Sequence, residues 1–151
     1  MTPTFLSTLL RDYLADDASI TAGVPSNTLL KKQSLTDTKL AKPPRLLVAV
    51  DADTENKHAS KIIFVIAVVI TAEAVLDVRA TTEAWMKAVR LRLADRQSLA
   101  NWIQANRTDE QRTGWQIRKL RLFASEEDFG TDEETKTYSL SLPMRLTVHI
   151  G

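Results

Sequence analysis

The sequence predicts an α+β fold: a mixed or antiparallel sheet, four-stranded or slightly larger, with helices packed on one face. Residues 138–150 alternate apolar and polar side chains without interruption, as expected of a strand with one buried face. Residues 61–71 are apolar nearly throughout and rich in β-branched side chains, which also favours a strand. Residues 5–14 carry apolar side chains at helical spacing. The predicted element order is α-loop-β-β-α-α-β-β, which is typical of an α+β domain.

The bulk properties of the chain limit its function. Its 151 residues are predicted to form a single domain, residues 1–151, that can close a hydrophobic core. A formal net charge of +1 argues against general affinity for nucleic acids or membrane surfaces. The absence of cysteine excludes disulfides, thiolate catalysis and sulfur-ligated metal sites. The longest apolar run, residues 62–70, is too short to cross a bilayer, so we expect no membrane partner.

The first helix and the segment after it differ sharply in character. The helix should end near Asp16 and Asp17, because carboxylates are unfavourable at the C-terminal end of a helix dipole. Residues 18–44 form a long polar connector that contains Gly23, Pro25 and the Pro43-Pro44 pair. Irregular segments longer than about 15 residues are uncommon in compact domains. The connector therefore either contains a short strand or forms an arm that orders against a partner.

Two strands and two helices follow the connector. The strand at residues 45–51 alternates, whereas the strand at 61–71 is apolar on both sides, which predicts that both of its faces are covered. Residues 52–60 are predicted to form a hairpin loop. One helix should begin at Thr81 or Thr82 and end near Ala94, and a second, short helix should begin at Ser98.

The last two predicted strands are irregular. In residues 115–123 the apolar positions change from odd (Ile117) to even (Leu120), which predicts a bulge near residues 118–119. Residues 125–134 are predicted to form an acidic loop. In the final strand Pro143 has no N–H to donate, which predicts an edge strand or a bulge there. An edge strand would offer unpaired backbone groups to another chain.

The sequence contains no recognisable catalytic or metal-binding pattern. Asp51, Asp53 and Glu55 alternate as in a calcium loop, but Asn56 and Ile62 occupy the positions of its glycine and bidentate glutamate. The two histidines have no third ligand placed by pattern, and no serine has a nucleophile-elbow context. We therefore expect no enzymatic activity, no cofactor and no metal.

Charge is distributed unevenly along the second half of the chain. Residues 79–121 contain ten basic and four acidic residues, whereas residues 122–137 contain six acidic residues and one lysine. The basic block could bind nucleic acid, or it could be a solvated helix face neutralised by the acidic loop. Alternatively, basic and acidic surfaces on opposite sides of one subunit could pair head to tail in a ring. The candidate subunit-interface residues for this third interpretation are Arg90, Arg92, Arg96, Glu126, Glu127 and Asp128.

Several features together match a known family in pattern and size over nearly the whole length. They are the amphipathic helix 5–14, the Pro43-Pro44-Arg45 start of a strand, the hairpin 46–70, the helix 82–94, the Gly114-Trp115 start of the third strand, and the final Tyr138-Ser-Leu-Ser-Leu-Pro-Met-Arg-Leu. With this layout the chain resembles the small tail-terminator and tail-completion (neck) proteins of tailed bacteriophages. That family has no catalytic residues to transfer.

The resemblance implies a structural virion protein of the tail or neck, assembled in the host cytoplasm. It implies a hexameric ring that caps the tail tube, ends its polymerisation and joins the tail to the head. The implied partners are further copies of the chain, the tail tube protein and the head–tail connector protein. One alternative is a head-completion or tail-tube subunit of the same particle; another is a nucleic-acid-binding module that uses residues 79–121. The candidate axial contacts lie in two polar loops: Asp51, Asp53, Glu55, Lys57, Asp132 and Glu133.

Overall fold

The computed structural model describes residues 3–22, 29–31, 43–52, 61–106, 115–131 and 136–150. Helices and strands alternate in blocks along these residues. In chain order the elements are α1 (Pro3–Ala15), α2 (Ala18–Thr21), β1 (Leu29–Lys31), β2 (Arg45–Ala52), β3 (Lys61–Glu73), α3 (Val78–Ala94), α4 (Arg96–Asn106), β4 (Trp115–Leu122), β5 (Glu126–Thr131) and β6 (Lys136–Ile150).

The described strands form one six-stranded sheet in the order β1-β2-β3-β6-β4, and β5 also pairs with β6. Strand β1 runs parallel to β2, and the other neighbours are antiparallel. The α+β class, the mixed sheet and its size are therefore confirmed. The connector does contain a short strand, β1, which was one of the two predicted outcomes.

Strand β6 lies inside the sheet, so the prediction of an edge strand at Pro143 is wrong. Residues 137–149 pair with β3 on one side; on the other side β4 pairs as far as Met144 and β5 begins at Ser141. The backbone N–H of Phe123 donates to the carbonyl of Pro143 at 2.9 Å. Because both backbone groups of a strand residue point to the same side, the proline nitrogen faces the gap between β4 and β5, where no donor is required.

The acidic segment is not a loop throughout, because Glu126–Thr131 forms strand β5. Acidic residues and glycine have low β-propensity, so the sequence alone favours a loop here. Pairing of all six residues with the first half of β6 overrides that preference. The predicted bulge in β4 is confirmed, since the register shifts between Ile117 and Lys119.

The core lies between one face of the sheet and helices α1, α3 and α4. Even-numbered residues of β2, β3 and β6 point to this face, and burial of each large apolar side chain contributes about 1.5–3 kcal/mol. The Ser7 hydroxyl, 2% exposed, donates to the Val48 carbonyl at 3.1 Å and fixes α1 on β2. The buried apolar side chains described in α1 are Leu6, Leu9, Leu10, Tyr13 and Leu14, which belong to the predicted apolar stripe.

The opposite face of the sheet, which we call the open face, carries the odd-numbered residues of β2, β3 and β6. No described helix packs on it, and Val65 in the middle of β3 is 41% exposed. The prediction that both faces of this strand are covered is therefore wrong for the described elements. The β-branched residues of β3 suit a pleated strand whether or not the second face is covered, so composition could not decide the matter.

Candidate functional site

The predicted interface residue Arg90 makes hydrogen bonds within its own chain. Its guanidinium donates to the Phe123 carbonyl and to the Ser125 hydroxyl, both at 2.7 Å, and so holds the link between β4 and β5. Arg90 and Glu127 line one groove of about 400 Å³ between α3 and β5. The structure therefore places Arg90 beside Glu127, so this one pair does not lie on opposite sides of the subunit.

Arg92 also acts within the fold. Its guanidinium donates twice to the Tyr13 carbonyl, at 3.2 and 3.1 Å, and lies 3.9 Å from the centroid of the Tyr13 ring. In return, the Tyr13 hydroxyl donates to the Arg92 carbonyl at 3.0 Å. Burial raises the pKa of Tyr13, against the opposing effect of Arg92. Arg92 thus joins α1 to the end of α3.

Of the three predicted interface arginines, Arg96 is the one whose side chain is most available for contact with another subunit. It is exposed, and its single described hydrogen bond is a long one, 3.3 Å, to the carbonyl of Arg118 at the β4 bulge. Exposed contacts of this kind contribute little to stability. Pairing of these arginines with acidic residues of a neighbouring subunit remains a prediction.

The acidic residues of β5 divide between the two faces of the sheet. Glu127 accepts a hydrogen bond from the Tyr138 hydroxyl at 2.9 Å and lies 3.7 Å from Arg79. Burial, followed by this hydrogen bond, raises the pKa of Tyr138 to about 12. Glu126 and Asp128 are exposed on the open face, opposite Ser141 and Ser139, and form no ion pair among the described residues.

Little of the predicted axial surface is described. Asp51 is exposed near the end of β2. The other candidate axial contacts lie outside the described residues: Asp53, Glu55, Lys57, Asp132 and Glu133.

One end of the sheet carries an apolar tip, which we define as Val75, Leu76 and Phe129. Their side chains are 63%, 91% and 51% exposed. The first two lie in the turn between β3 and α3, beside Asp77 in the left-handed conformation (φ 64°). The Arg79 guanidinium lies 5.1 Å from the Phe129 ring centroid. Exposed apolar patches are candidate contact sites. In the sequence, the sign of this tip is a pair of apolar residues between a predicted strand and a predicted helix.

A basic cluster, which we define as Lys61, Lys119, Arg121 and Arg145, lies on the open face. The bulge at Arg118 changes the alternation of β4, so that Lys119 and Arg121 come opposite Thr147 and Arg145 of β6. The cluster surrounds a concave space of about 180 Å³. Sequence reasoning missed it, because two members lie outside the basic block and the other two depend on the bulge.

The apolar tip and the basic cluster lie toward opposite ends of the sheet. Lys61 begins β3, and the turn with Val75 and Leu76 follows its last residue, Glu73. At about 3.3 Å per residue these ends are about 40 Å apart. The molecule therefore has two chemically different ends along its strands.

The described residues offer no metal site, since no group of three or more His, Asp or Glu side chains among them could hold an ion. None of the helices in the described part of the chain is long and apolar enough to cross a membrane.

Comparison with known proteins supports a fold relationship. No family model matches the sequence, and no curated protein matches it. The fold is similar to that of a chain in a solved structure described as "Virion of native gene transfer agent (GTA) particle", with a TM-score of 0.63 and 13% sequence identity. The alignment covers 95% of this chain and 94% of that chain. At this identity the likeness establishes a shared fold.

Proposed function

We propose that this protein is a structural component of a phage-like particle and that it acts as a tail terminator. In this role a hexameric ring of the protein caps the tail tube, ends its polymerisation and joins the tail to the head connector. The observation that carries the proposal is the fold likeness to a chain of a virion particle, which spans 95% of this chain and 94% of the other.

The two ends of the sheet support a protein that lies between two different partners. The apolar tip presents Leu76 almost fully to solvent, as expected of a side chain that is covered in an assembly. The opposite end carries the basic cluster. A terminator contacts the tube on one side and the connector on the other, and different chemistry at the two ends fits that position.

A second candidate is a head-completion or tail-tube subunit of the same particle. The two roles differ in how the protein assembles. Tube subunits add ring upon ring into a filament, because a heterologous contact that does not close continues to grow. A terminator stops after one ring. The state of assembly therefore separates the candidates.

The test is to concentrate the purified full chain, alone and with the tail tube protein, and to examine it by light scattering and negative-stain electron microscopy. We expect single rings of six 16.9 kDa subunits, or rings that form at the ends of tubes and stop tube growth. Long filaments of this chain alone would favour the tail-tube alternative. A monomer that neither assembles nor alters the tube would contradict the proposal.

The predicted subunit contacts are best tested with Arg96 and Glu126, since both are exposed. Reversal of either charge (R96E or E126R) should weaken the ring, and the double swap should restore it. Exposed ion pairs contribute only about 0–1 kcal/mol each, so they should fix the relative position of neighbouring subunits more than their affinity. A double swap that leaves assembly as weak as the single variants do would exclude this pairing.

A further inference from the structure

We propose that the basic cluster on the open face binds the phosphate backbone of nucleic acid. This inference does not require the proposed ring, but it assigns the basic cluster to nucleic acid and not to the connector protein. It also differs from a site on the helices, because Arg90 and Arg92 are engaged within the chain.

The pairing of the strands brings the four cations together. Arg145 lies directly opposite Arg121 of β4, and Lys119 lies opposite Thr147, two residues along β6. Lys61 reaches the same face from β3, opposite His149. Like charges directly opposite each other in a sheet are destabilising. The fold therefore holds these like charges close together despite their mutual repulsion.

The described residues provide no counter-charge at this place. None of the four cations forms an ion pair with a described carboxylate, and none of the described residues lining the concave space is acidic. The described acidic residues of the open face are farther away. Asp51 is two strands from Arg145, about 10 Å, and Glu126 is opposite Ser141, about 13 Å along β6. An anionic ligand would relieve the repulsion.

The donors suit phosphate. Guanidinium groups bind phosphate oxygens through two parallel hydrogen bonds, and lysines add point charges. The Arg121 guanidinium lies 4.8 Å from the Phe123 ring centroid, which orients it. Neutral side chains of the same face, Thr147 and Gln116, are of the types that also contact phosphates. From Lys61 to the level of Arg145 the cluster extends about 13 Å along the strands.

Nucleic acid offers repeated charge over that length, because duplex DNA carries one negative charge per about 1.7 Å of its axis. The cluster lies on an open sheet face, and none of the described residues that line its concave space is aromatic. We therefore expect contact with the backbone and no sequence preference.

The acidic strand of a second copy is the competing occupant. Glu126 and Asp128 lie on the same face as the basic cluster, farther along β6. Two copies could satisfy both patches only about a two-fold axis, which closes a dimer and does not build a head-to-tail ring. This occupant would give a salt-sensitive dimer, which the experiment measures separately.

The test uses the full chain and a fluorescent 25-base-pair duplex, with binding followed by anisotropy from 50 to 300 mM KCl. Each neutralised phosphate contributes about −0.9 to the slope of log K against log salt, so four contacts give about −3.6. The variant R121Q/R145Q should reduce the slope by about 2 and weaken binding at least about tenfold at 50 mM KCl. The control K87Q/K136Q removes two exposed charges elsewhere and should bind like the wild type.

Three results would overturn the proposal. One is no binding at 50 mM KCl, and another is an equal loss in both double variants. The third is a salt-sensitive dimer, seen by light scattering, that R121Q/R145Q abolishes while no duplex is bound. Thermal melting checks the fold, and R121Q/R145Q should melt at or above the wild-type temperature because it removes the like-charge pair. Ring assembly without nucleic acid is measured separately, so failure of one proposal is distinguishable from failure of the other.

Discussion

At the scale of single residues, two arginines of the basic block, Arg90 and Arg92, act within the fold. Arg92 makes two hydrogen bonds to the Tyr13 carbonyl, packs on the Tyr13 ring and lies 3.7 Å from Asp16. Arg90 fixes the link between β4 and β5 through two hydrogen bonds of 2.7 Å. Loss of either arginine should therefore affect the isolated subunit before any assembly takes place.

We expect Arg92→Gln to lower the free energy of unfolding by about 1–3 kcal/mol, because it removes charged hydrogen bonds and a cation–π contact. Urea denaturation of the full chain measures the loss. Lys87→Gln is the matched control, since it removes one exposed charge from the same helix and should change stability by less than about 0.5 kcal/mol. If Arg92→Gln were as mild as this control, Arg92 would have no structural role.

Tyr138 links the core to the acidic strand and should make stability depend on alkaline pH. Burial and its hydrogen bond to Glu127 raise the pKa of Tyr138 to about 12, whereas an unfolded tyrosine titrates near pH 10. Between these values the folded state keeps its proton while the unfolded state loses it. The contribution to stability is therefore complete below about pH 10 and is lost as the pH rises through about 12.

We expect the wild type to lose more stability than Tyr138→Phe between about pH 10 and 12. Denaturant unfolding at a series of pH values measures the two curves. Other groups, including Tyr13, titrate in both proteins, so the difference between the slopes isolates Tyr138. Parallel curves over this range would show that the hydroxyl of Tyr138 ionises as it does in the unfolded chain.

At the scale of elements, the bulge in β4 decides which side chains reach each face. Before it, Ile117 lies opposite Val148 on the core side. After it, Leu120 and Leu122 take the core side, and Lys119 and Arg121 turn to the open face. By accommodating Arg118 as an extra residue, the bulge keeps the leucines on the core side and Lys119 and Arg121 on the open face.

We expect deletion of Arg118 to leave the protein nearly as stable as the wild type. Arg118 is the extra residue of the bulge, so its removal keeps the leucines of β4 on the core side, and the free energy of unfolding should change by less than about 1 kcal/mol. The matched deletion of Arg121, outside the bulge, must instead turn Leu122 to the open face or Lys119 to the core side. It should cost about 2–4 kcal/mol, a fall in melting temperature of about 5–15 °C measured by circular dichroism. Equal melting temperatures for the two deletions would mean that Arg118 is not the extra residue of β4.

The sequence predicts this element-level pattern well where periodicity is strong. The bulge, the core side of β6 and the apolar stripe of α1 follow from side-chain alternation alone. Strand β5 could not be predicted from alternation, because Glu126–Thr131 becomes a strand only through pairing with β6. The internal position of Pro143 could not be predicted either, since it depends on where β4 ends and β5 begins. The basic cluster requires both the bulge and the strand order, and neither charge counts nor spacing contains the strand order.

At the scale of the whole molecule, the apolar tip and the basic cluster lie toward opposite ends of β3, which is about 40 Å long. The apolar tip has no role within the described fold that would explain the exposure of Leu76. The basic cluster has no described counter-charge. If each surface is covered in an assembly, as we propose, the two partners should differ in chemistry.

We expect the double variant V75S/L76S to remain as stable as the wild type but, if the protein is the tail terminator that we propose, to bind the tail tube more weakly. The two side chains are 63% and 91% exposed, so their loss should change the free energy of unfolding by less than about 0.5 kcal/mol. If both are buried in the assembly, their removal should weaken it by about 2–4 kcal/mol, or about 30- to 1,000-fold in affinity. Co-sedimentation with assembled tail tubes measures the loss.

The matched control for the tip is Leu91→Ser, which removes a 67% exposed leucine from the middle of α3. Its binding should equal that of the wild type, because α3 lies beside the sheet and not at its end. If V75S/L76S and Leu91→Ser bind equally well, the apolar tip is not the axial contact, and the tube must meet another surface. If both variants lose binding equally, binding depends on the exposed apolar area and not on its position in the molecule. That result would also reject the apolar tip as a specific site.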